Sequence, residues 1–133
     1  MKFNPYLNFD GKCAEAFAFY AELFGGSITF IQTFGESPMK DDVPADWHGA
    51  VMHATLDIAG ETLGGSDAPG HMFKTPQGFA VTIALSDVDE AERIFAGLVK
   101  DGVESMALQQ TFWAKRFGMC TDRFGTPWMV NCE

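Results

Sequence analysis

The chain has 133 residues, of which 47% are hydrophobic, so it is long enough to form one domain with a sizeable core. Its formal net charge of −9 disfavours nucleic acids and anionic membranes as partners, since both would repel it. The three cysteines lack CxxC spacing and no apolar run approaches membrane-spanning length, so we expect a cytoplasmic protein that binds neither membranes nor nucleic acid.

The first half of the chain predicts a strand, a helix and then three more strands. The helix has apolar residues at the i, i+3, i+4 and i+7 spacing of a buried face, and Gly25-Gly26 ends it. The strands are rich in β-branched and aromatic residues, and Ala59-Gly60 joins the last two as a hairpin. The predicted elements are a strand at Phe3–Phe9, a helix at Lys12–Phe24, a strand at Ser27–Phe34, an acidic loop at Gly35–Trp47, and strands at Gly49–Ile58 and Glu61–Ser66.

The second half repeats this order after a linker rich in proline and glycine. Asp87, with Glu90 three residues later, resembles a capping box and marks the start of a helix that Gly102 ends. The predicted elements are a linker at 67–78, a strand at Phe79–Leu85, a helix with its buried stripe between Val88 and Leu98, a strand at Glu104–Gln110, and a hairpin of Lys115–Asp122 and Thr126–Cys132. The sequence thus predicts one α+β domain over 1–133, built from a βαβββ module at 1–67 and another at 79–133.

Two segments of the first half recur in the second half. The helical segment Glu15–Leu23 has an echo at Glu90–Leu98, 75 positions later, and Asp57–Gly60 has an echo at Asp122–Gly125, 65 positions later. A duplicated helix and a duplicated hairpin indicate two similar modules with a cleft between them. Clefts of this kind commonly hold small molecules, so the repeat predicts a ligand site there.

The turns and short motifs of the chain carry a resemblance to a known family. They are Pro5–Gly11, Glu15-Ala16 with Phe19-Tyr20, Phe24–Gly26, His53-Ala54, Asp67–Pro69 and, most specifically, Thr111–Gly118 followed by Asp122–Asn131. With this pattern the sequence resembles the PhnB-like branch of the vicinal oxygen chelate superfamily, which includes glyoxalase I, extradiol dioxygenases and bleomycin-resistance proteins. The resemblance implies two βαβββ modules that form a cupped mixed β-sheet with helices on its outer face, usually in a homodimer.

Alternation along the predicted strands indicates which side chains face the cup. On each strand the more apolar set should lie under the helices, and the other set should face the cup. In the second hairpin, the 65-residue echo carries Thr55 onto Cys120, which places Arg116 and Cys120 on the cup side. The predicted ligand-binding residues, for a small ligand that Arg116 would favour as an anion, are Tyr6, Asn8, Trp47, His53, Thr55, Thr82, Trp113, Arg116, Cys120, Met129 and Asn131.

The resemblance also implies a divalent metal held by one residue from each of four cup-facing strands. Relatives typically use two histidines on the first strands of the modules and two glutamates on the last strands. The matching positions of this sequence are Asn4 or Tyr6, Gly64, Thr82 and Met129. None of these is a good ligand for Zn, Ni or Fe. We therefore expect no metal and no other cofactor, which argues against glyoxalase-like and dioxygenase-like activity.

Each candidate side chain has a functional and a purely structural interpretation. His53 could be a catalytic general acid or base, or an ordinary half-buried histidine of a sheet. Arg116 could clamp an anionic group, or it could pair with a nearby carboxylate. Trp113 could wall an aromatic site that Trp47 closes, or both could pack in the core or a dimer interface. Cys120 would be a reactive thiol only if Arg116 lowers its pKa.

Two classes of function follow from these residues. The first, which the sequence favours, is a small-molecule-binding protein of the bleomycin-resistance type that needs a cavity but no metal. The second is an enzyme, a lyase, isomerase or dioxygenase-like protein, that uses His53 and Arg116 or an atypical metal site. A dimeric scaffold with a filled cup is a third. Relatives often carry a demethylubiquinone methyltransferase label, but a Rossmann-like methyltransferase needs a Gly-rich nucleotide turn, which this sequence lacks.

Overall fold

The computed structural model describes residues 1–133, which divide into two compact units, Met1–Lys74 and Thr75–Glu133. Each unit contains one four-stranded mixed sheet and one α-helix, in the order strand, helix, strand, strand, strand. The predicted α+β class and the two βαβββ modules are therefore confirmed. Neither helix combines the length and the apolar character that crossing a bilayer would need.

The first unit has four strands and one helix of 12 residues. They are β1 (Tyr6–Phe9), α1 (Cys13–Phe24), β2 (Ser27–Thr33), β3 (Val51–Ile58) and β4 (Glu61–Asp67). The strand order is β1-β4-β3-β2, with β1 parallel to β4 and the other neighbours antiparallel. Three short 3₁₀ helices lie within the predicted acidic loop, at Phe34–Glu36, Lys40–Asp42 and Ala45–Trp47.

The second unit repeats this topology. Its elements are β5 (Val81–Leu85), α2 (Val88–Val99), β6 (Val103–Gln109), β7 (Arg116–Thr121) and β8 (Pro127–Cys132). The order is β5-β8-β7-β6, again with the first strand parallel to the last. Asp87 caps α2 as predicted, because its side chain accepts hydrogen bonds from the backbone N–H groups of Asp89 and Glu90.

The core of each unit lies between its helix and the face of the sheet that the helix covers. In the first unit α1 packs chiefly on β3, and in the second unit α2 packs on β7 and β8. The buried residues of the two helices are Cys13, Ala16, Phe17, Tyr20 and Leu23 in α1, and Ala91, Ile94, Phe95 and Leu98 in α2. Burying one such aliphatic or aromatic side chain contributes roughly 1.5–3 kcal/mol, so these stripes hold each helix on its sheet.

Five strands begin one to three residues later than the sequence predicted, namely β1, β3, β5, β7 and β8. β1 starts at Tyr6 rather than Phe3, and Phe3 is 91% exposed instead of lying under the helix. The intervening Pro5 has no N–H group to donate to a sheet, although its carbonyl accepts a hydrogen bond from the backbone of Gly64. β5 starts at Val81 rather than Phe79.

A buried carboxylate joins two segments of the first unit. Asp67, at the end of β4, is 3% exposed. Its Oδ1 accepts a hydrogen bond from the backbone N–H of Cys13, and its Oδ2 accepts one from the backbone N–H of Val51, both at 2.9 Å. These bonds replace the water that a buried carboxylate loses, and they fix the start of α1 against the start of β3.

Candidate functional site

The face of the first sheet opposite α1 carries an exposed pair of rings. Tyr6 on β1 and His53 on β3 meet across β4, which separates the two strands. The Tyr6 Oη lies 3.1 Å from the His53 Nδ1, and the two rings are inclined by 8° with centroids 5.7 Å apart. Tyr6 is 48% exposed and His53 is half-buried, so a ligand can reach both.

Gly64 on β4 is the residue that allows Tyr6 to lie across the sheet. It is the register partner of Tyr6 on one side and of Thr55 on the other. A Cβ atom at position 64 would lie only 2.8 Å from the Tyr6 Cδ2, so any larger residue would displace the ring. The missing side chain at this position therefore places Tyr6 beside His53.

Strand β2 adds a third ring and a pair of hydroxyls to the same face. The Phe30 ring lies 5.8 Å from the His53 ring and is 46% exposed. The Oγ1 atoms of Thr29 and Thr55 are 2.9 Å apart. A register shift after Ile28 brings Thr29 and Phe30 next to the same partner strand residue. The sequence missed Phe30 because two consecutive apolar residues, Phe30 and Ile31, obscure the alternation of β2.

Four of the predicted ligand-binding residues, Tyr6, Asn8, His53 and Thr55, thus share this face. The Asn8 Oδ1 accepts a 3.4 Å hydrogen bond from the hydroxyl of Ser66, its register partner on β4. We call this side of the sheet the Tyr6–His53 face; it consists of Tyr6, Asn8, Thr29, Phe30, His53, Thr55, Gly64 and Ser66. It presents hydroxyl, amide, imidazole and phenyl groups.

The Tyr6–His53 face contains no fixed positive charge. None of the strands β1–β4 includes a lysine or an arginine. The carboxylate of Asp57 is used in the β3–β4 turn, where it accepts from the backbone N–H of Gly60, and the carboxylate of Asp67 is buried. The face is therefore suited to hydrogen bonding and ring contacts rather than to pairing with an anion.

In the second unit, Thr82, Met129 and Asn131 lie on the face of the sheet opposite α2, as predicted from alternation. Thr82 and Met129 are register partners, and the Thr82 hydroxyl donates to the Met129 Sδ at 3.8 Å. The Asn131 Nδ2 donates to Glu133 at 2.8 Å, but its Oδ1 is buried without a hydrogen-bond partner.

An aromatic cluster adjoins this second face. Phe117 on β7 is the register partner of Asn131 and is 7% exposed. Its ring lies 5.2 Å from that of Trp113, which lies 4.8 Å from that of Phe112. The predicted aromatic wall at Trp113 is thus built on Phe117, whereas Phe112 is 98% exposed.

Arg116 and Cys120 lie on the helix-covered side of the second sheet, so their predicted placement on the cup side is wrong. Arg116 is the register partner of Cys132, and its Nε donates to Glu92 of α2 at 3.2 Å. Cys120 is 2% exposed and pairs with the buried Trp128. The 65-residue echo is one residue out of phase along β7, and a shift of one residue sends every side chain to the opposite face.

The condition for a reactive Cys120, a pKa lowered by Arg116, is not met. Burial, together with the nearby carboxylates of Asp122 and Glu104, raises the pKa of the Cys120 thiol to about 11. The guanidinium of Arg116 is paired with Glu92 instead. Cys120 is therefore a protonated, buried thiol at neutral pH.

Trp47 belongs to another part of the first unit. It ends the short helix Ala45–Trp47, and its ring packs edge-on against that of Phe34 at 6.1 Å. It lines an open cavity of about 290 Å³ together with Asp10, Gly11, Asp46, Gly49 and Ala50. The structure therefore groups Trp47 with this cavity rather than with the rings of Tyr6 and His53.

Comparison with known proteins decides the family. A family model described as 3-demethylubiquinone-9 3-methyltransferase matches residues 1–131. The chain belongs to this PhnB-like family of the vicinal oxygen chelate superfamily. Protein YjdN from Escherichia coli (strain K12) is 36% identical over 139 residues, which cover 98% of this chain and 95% of YjdN.

Two solved structures support this PhnB-like assignment. Protein PA1353 from Pseudomonas aeruginosa is 41% identical with a TM-score of 0.89, and the match covers 100% of this chain and 98% of PA1353. A PhnB protein from Bacillus cereus is 27% identical with a TM-score of 0.84, and the match covers both chains completely. The methyltransferase in the family description is a family name, and the two mixed sheets differ from the doubly wound parallel sheet of Rossmann-like methyltransferases.

The residues at the metal positions that the resemblance implied do not fit a divalent metal centre. Of the two alternatives for the first position, Asn4 precedes β1, whereas Tyr6 lies on β1 as the register partner of Gly64. Thr82 and Met129 are register partners in the second unit. The Tyr6 ring fills the space that a side chain at position 64 would need. The structure brings no three His, Cys, Asp or Glu residues together as a metal-binding group. Hydroxyl, thioether and phenol groups do not form a zinc or nickel site.

Proposed function

We propose that this PhnB-like protein binds a small molecule on the Tyr6–His53 face of its first sheet, without a divalent metal. The observation that carries the proposal is the Tyr6–His53 pair, which holds two exposed rings and a hydrogen bond on a rigid sheet. Because the hydrogen bond to His53 holds the Tyr6 ring over Gly64, ligand binding would not have to order this side chain first.

The residue types at the family's metal positions support the metal-independent part of the proposal. A metal-dependent relative would hold its substrate through vacant coordination sites on the ion. Here those positions carry a phenol, a hydrogen, a hydroxyl and a thioether, so ligand contacts would come from ring faces and side-chain hydrogen bonds. This is the binding mode expected of a sequestering protein of the bleomycin-resistance type.

A screen of small molecules against chelator-treated protein tests the proposal. We expect stoichiometric binding that survives chelation and shifts the backbone amide resonances of Tyr6, His53 and Thr55. His53→Ala should weaken binding by about tenfold or more, the cost of removing a ring and a hydrogen-bonding group. His71→Ala, which removes an exposed histidine outside the sheets, is the matched control and should leave affinity unchanged. Binding that requires an added metal, or metal retained at unit occupancy, would overturn the proposal.

The same hydrogen bond supports a second candidate, an isomerase or lyase with His53 as general acid or base. A phenol hydrogen-bonded to the Nδ1 of an imidazole orients the ring and leaves the Nε2 to exchange a proton with a substrate. Arg116 takes no part, because it lies on the helix side of its sheet. In this case His53→Ala should abolish turnover and keep the fold, whereas binding without any turnover by the native protein would exclude the enzyme.

A further inference from the structure

We infer that the Tyr6–His53 face binds an uncharged aromatic compound that carries a hydroxyl group. The inference rests on the proposed function, namely that this face binds a small molecule. It names the chemical class of that molecule and replaces the anionic ligand that the sequence favoured through Arg116. The inference uses only residues of the first unit.

The charge of the face excludes an anion as the preferred ligand. Strands β1–β4 contain no lysine or arginine, and the protein as a whole has a net charge of −9. An anionic group placed on this face would lose its water without gaining a positive partner. Arg116, the residue predicted to supply that partner, is paired with Glu92 on the helix side of the second sheet.

The rings of the face favour an aromatic ligand. The rings of Tyr6 and Phe30 lie on either side of His53, with centroids 5.7 Å and 5.8 Å from that of the imidazole. Tyr6 and Phe30 remain 48% and 46% exposed, so a flat molecule can gain ring contacts with both without moving the sheet. Aromatic pairs stabilise each other beyond the area they bury, an advantage that a saturated ligand of the same shape lacks.

The hydrogen bond between Tyr6 and His53 favours a hydroxyl group on the ligand. If the Tyr6 hydroxyl donates to Nδ1, the His53 Nε2 carries a proton and needs an acceptor. If Nδ1 donates to Tyr6 instead, Nε2 is an acceptor and needs a donor. A hydroxyl group satisfies either tautomer because it can donate and accept.

The other hydroxyl groups of the face and the amide oxygen of Asn8 already have partners. The hydroxyl of Thr29 is bonded to that of Thr55, and the Asn8 side chain is bonded to Ser66. The His53 Nε2, by contrast, makes no hydrogen bond to the protein. A ligand with one polar group directed at His53 and an aromatic body over Phe30 therefore matches the face.

Four bicyclic probes of similar size separate charge from aromaticity. They are 2-naphthol, 2-naphthoate, 2-naphthylmethylammonium and decahydro-2-naphthol, titrated into the full-length protein at pH 7 by calorimetry and by backbone amide shifts. We expect 2-naphthol to bind at least about tenfold more tightly than each of the others, with shifts at β1–β4. Tyr6→Phe, which keeps the ring and removes the hydroxyl, and Phe30→Leu should each reduce the affinity, and His71→Ala should not.

Each contrary result has a separate meaning. Tighter binding of 2-naphthoate or of the ammonium probe at this face would overturn the charge argument but leave the proposed function standing. Equal binding of decahydro-2-naphthol would overturn the aromatic argument in the same way. If no probe shifts the β1–β4 amides while another screened molecule does, the ligand class is wrong and the function holds. If no molecule at all shifts the amide resonances of β1–β4, both the ligand class and the proposed function are wrong.

Discussion

The indole Nε1 of Trp128 donates a 2.8 Å hydrogen bond to Asp122, and both residues are buried. The Oδ1 of the same carboxylate accepts from the backbone N–H groups of Phe124 and Thr126 at 2.9 Å and 3.0 Å. One carboxylate thus closes the loop between β7 and β8 and attaches to it the largest side chain of β8.

Asp122→Asn should lower the free energy of unfolding by roughly 1–3 kcal/mol. If the amide oxygen keeps the two backbone donors, its NH₂ group faces the indole N–H, and two donors then meet without an acceptor. Urea denaturation measures the loss. In a Trp128→Phe background the indole donor is gone, so Asp122→Asn should lower the free energy of unfolding by less. Equal losses of unfolding free energy in the two backgrounds would contradict the role assigned to this pair.

Alanine should be tolerated at Gly64 but not at Gly118. At Gly64 the new Cβ meets the Tyr6 ring, which is exposed and can rotate away, so we expect a loss of at most about 1 kcal/mol. At Gly118 the new Cβ would lie 2.7 Å from the buried Phe95 ring and 3.0 Å from the backbone of Leu108. We therefore expect Gly118→Ala to lower the free energy of unfolding by about 2–3 kcal/mol.

Gly64→Ala should nevertheless change the Tyr6–His53 face. The displaced Tyr6 would no longer bond to the His53 Nδ1, so the ¹⁵N shifts of the imidazole should move while those shifts stay unchanged in Gly118→Ala. Gly49→Ala is the control, because a Cβ at position 49 meets no atom within 4 Å. Unchanged imidazole shifts in Gly64→Ala would show that Gly64 does not position the ring.

The buried thiol of Cys120 should make the protein less stable at alkaline pH. Its pKa is raised from an ordinary value of 9.0 to about 11, so the unfolded chain loses the thiol proton first. The stability that this group contributes is complete below pH 9 and is lost as the pH rises to about 11. Between pH 9 and about 11, the free energy of unfolding should fall by roughly 1–3 kcal/mol more in the native protein than in Cys120→Ala. Parallel stability curves from pH 8 to 11, measured under reducing conditions, would contradict this.

Arg116→Gln should leave the ligand affinity unchanged and lower the free energy of unfolding only slightly. The Arg116 and Glu92 side chains are 33% and 53% exposed, and ion pairs of this kind contribute at most about 1 kcal/mol. The affinity for 2-naphthol should stay within about twofold of that of the native protein, as it should in Arg93→Gln, which alters another ion pair of α2. A large loss of affinity in Arg116→Gln alone would show that this residue reaches the ligand after all.

The sequence was sufficient to predict the modules but not the phase of β7. Helical stripes and strand alternation depend on local periodicity, which places Tyr6 and His53 on one face. The alignment of Asp57 with Asp122 failed because these residues occupy different positions in their turns. Asp57 lies within β3, and two residues separate that strand from β4, whereas Asp122 follows β7, and five residues separate that strand from β8.

The contact between Tyr6 and His53 was also beyond the sequence. The two residues lie on strands that are not neighbours, and the side chain missing from β4 brings them together. Alternation predicts the face of the sheet on which each side chain lies, but it does not predict which side chains on that face contact each other. Phe30 was missed for a similar reason, since the register shift in β2 that places it beside Thr55 has no signature in the local sequence.

The bonds of Asp67 make one carboxylate common to the helix and the hairpin of the first unit. Because it accepts from the Cys13 amide and the Val51 amide at once, detaching the start of α1 or the start of β3 removes one of the two hydrogen bonds that compensate this buried charge. Local fluctuations of either segment therefore destabilise the carboxylate that holds the other. Segments 54 and 16 residues away from Asp67 along the chain are thereby joined into a single cooperative unit, whose amide protons should exchange with solvent together.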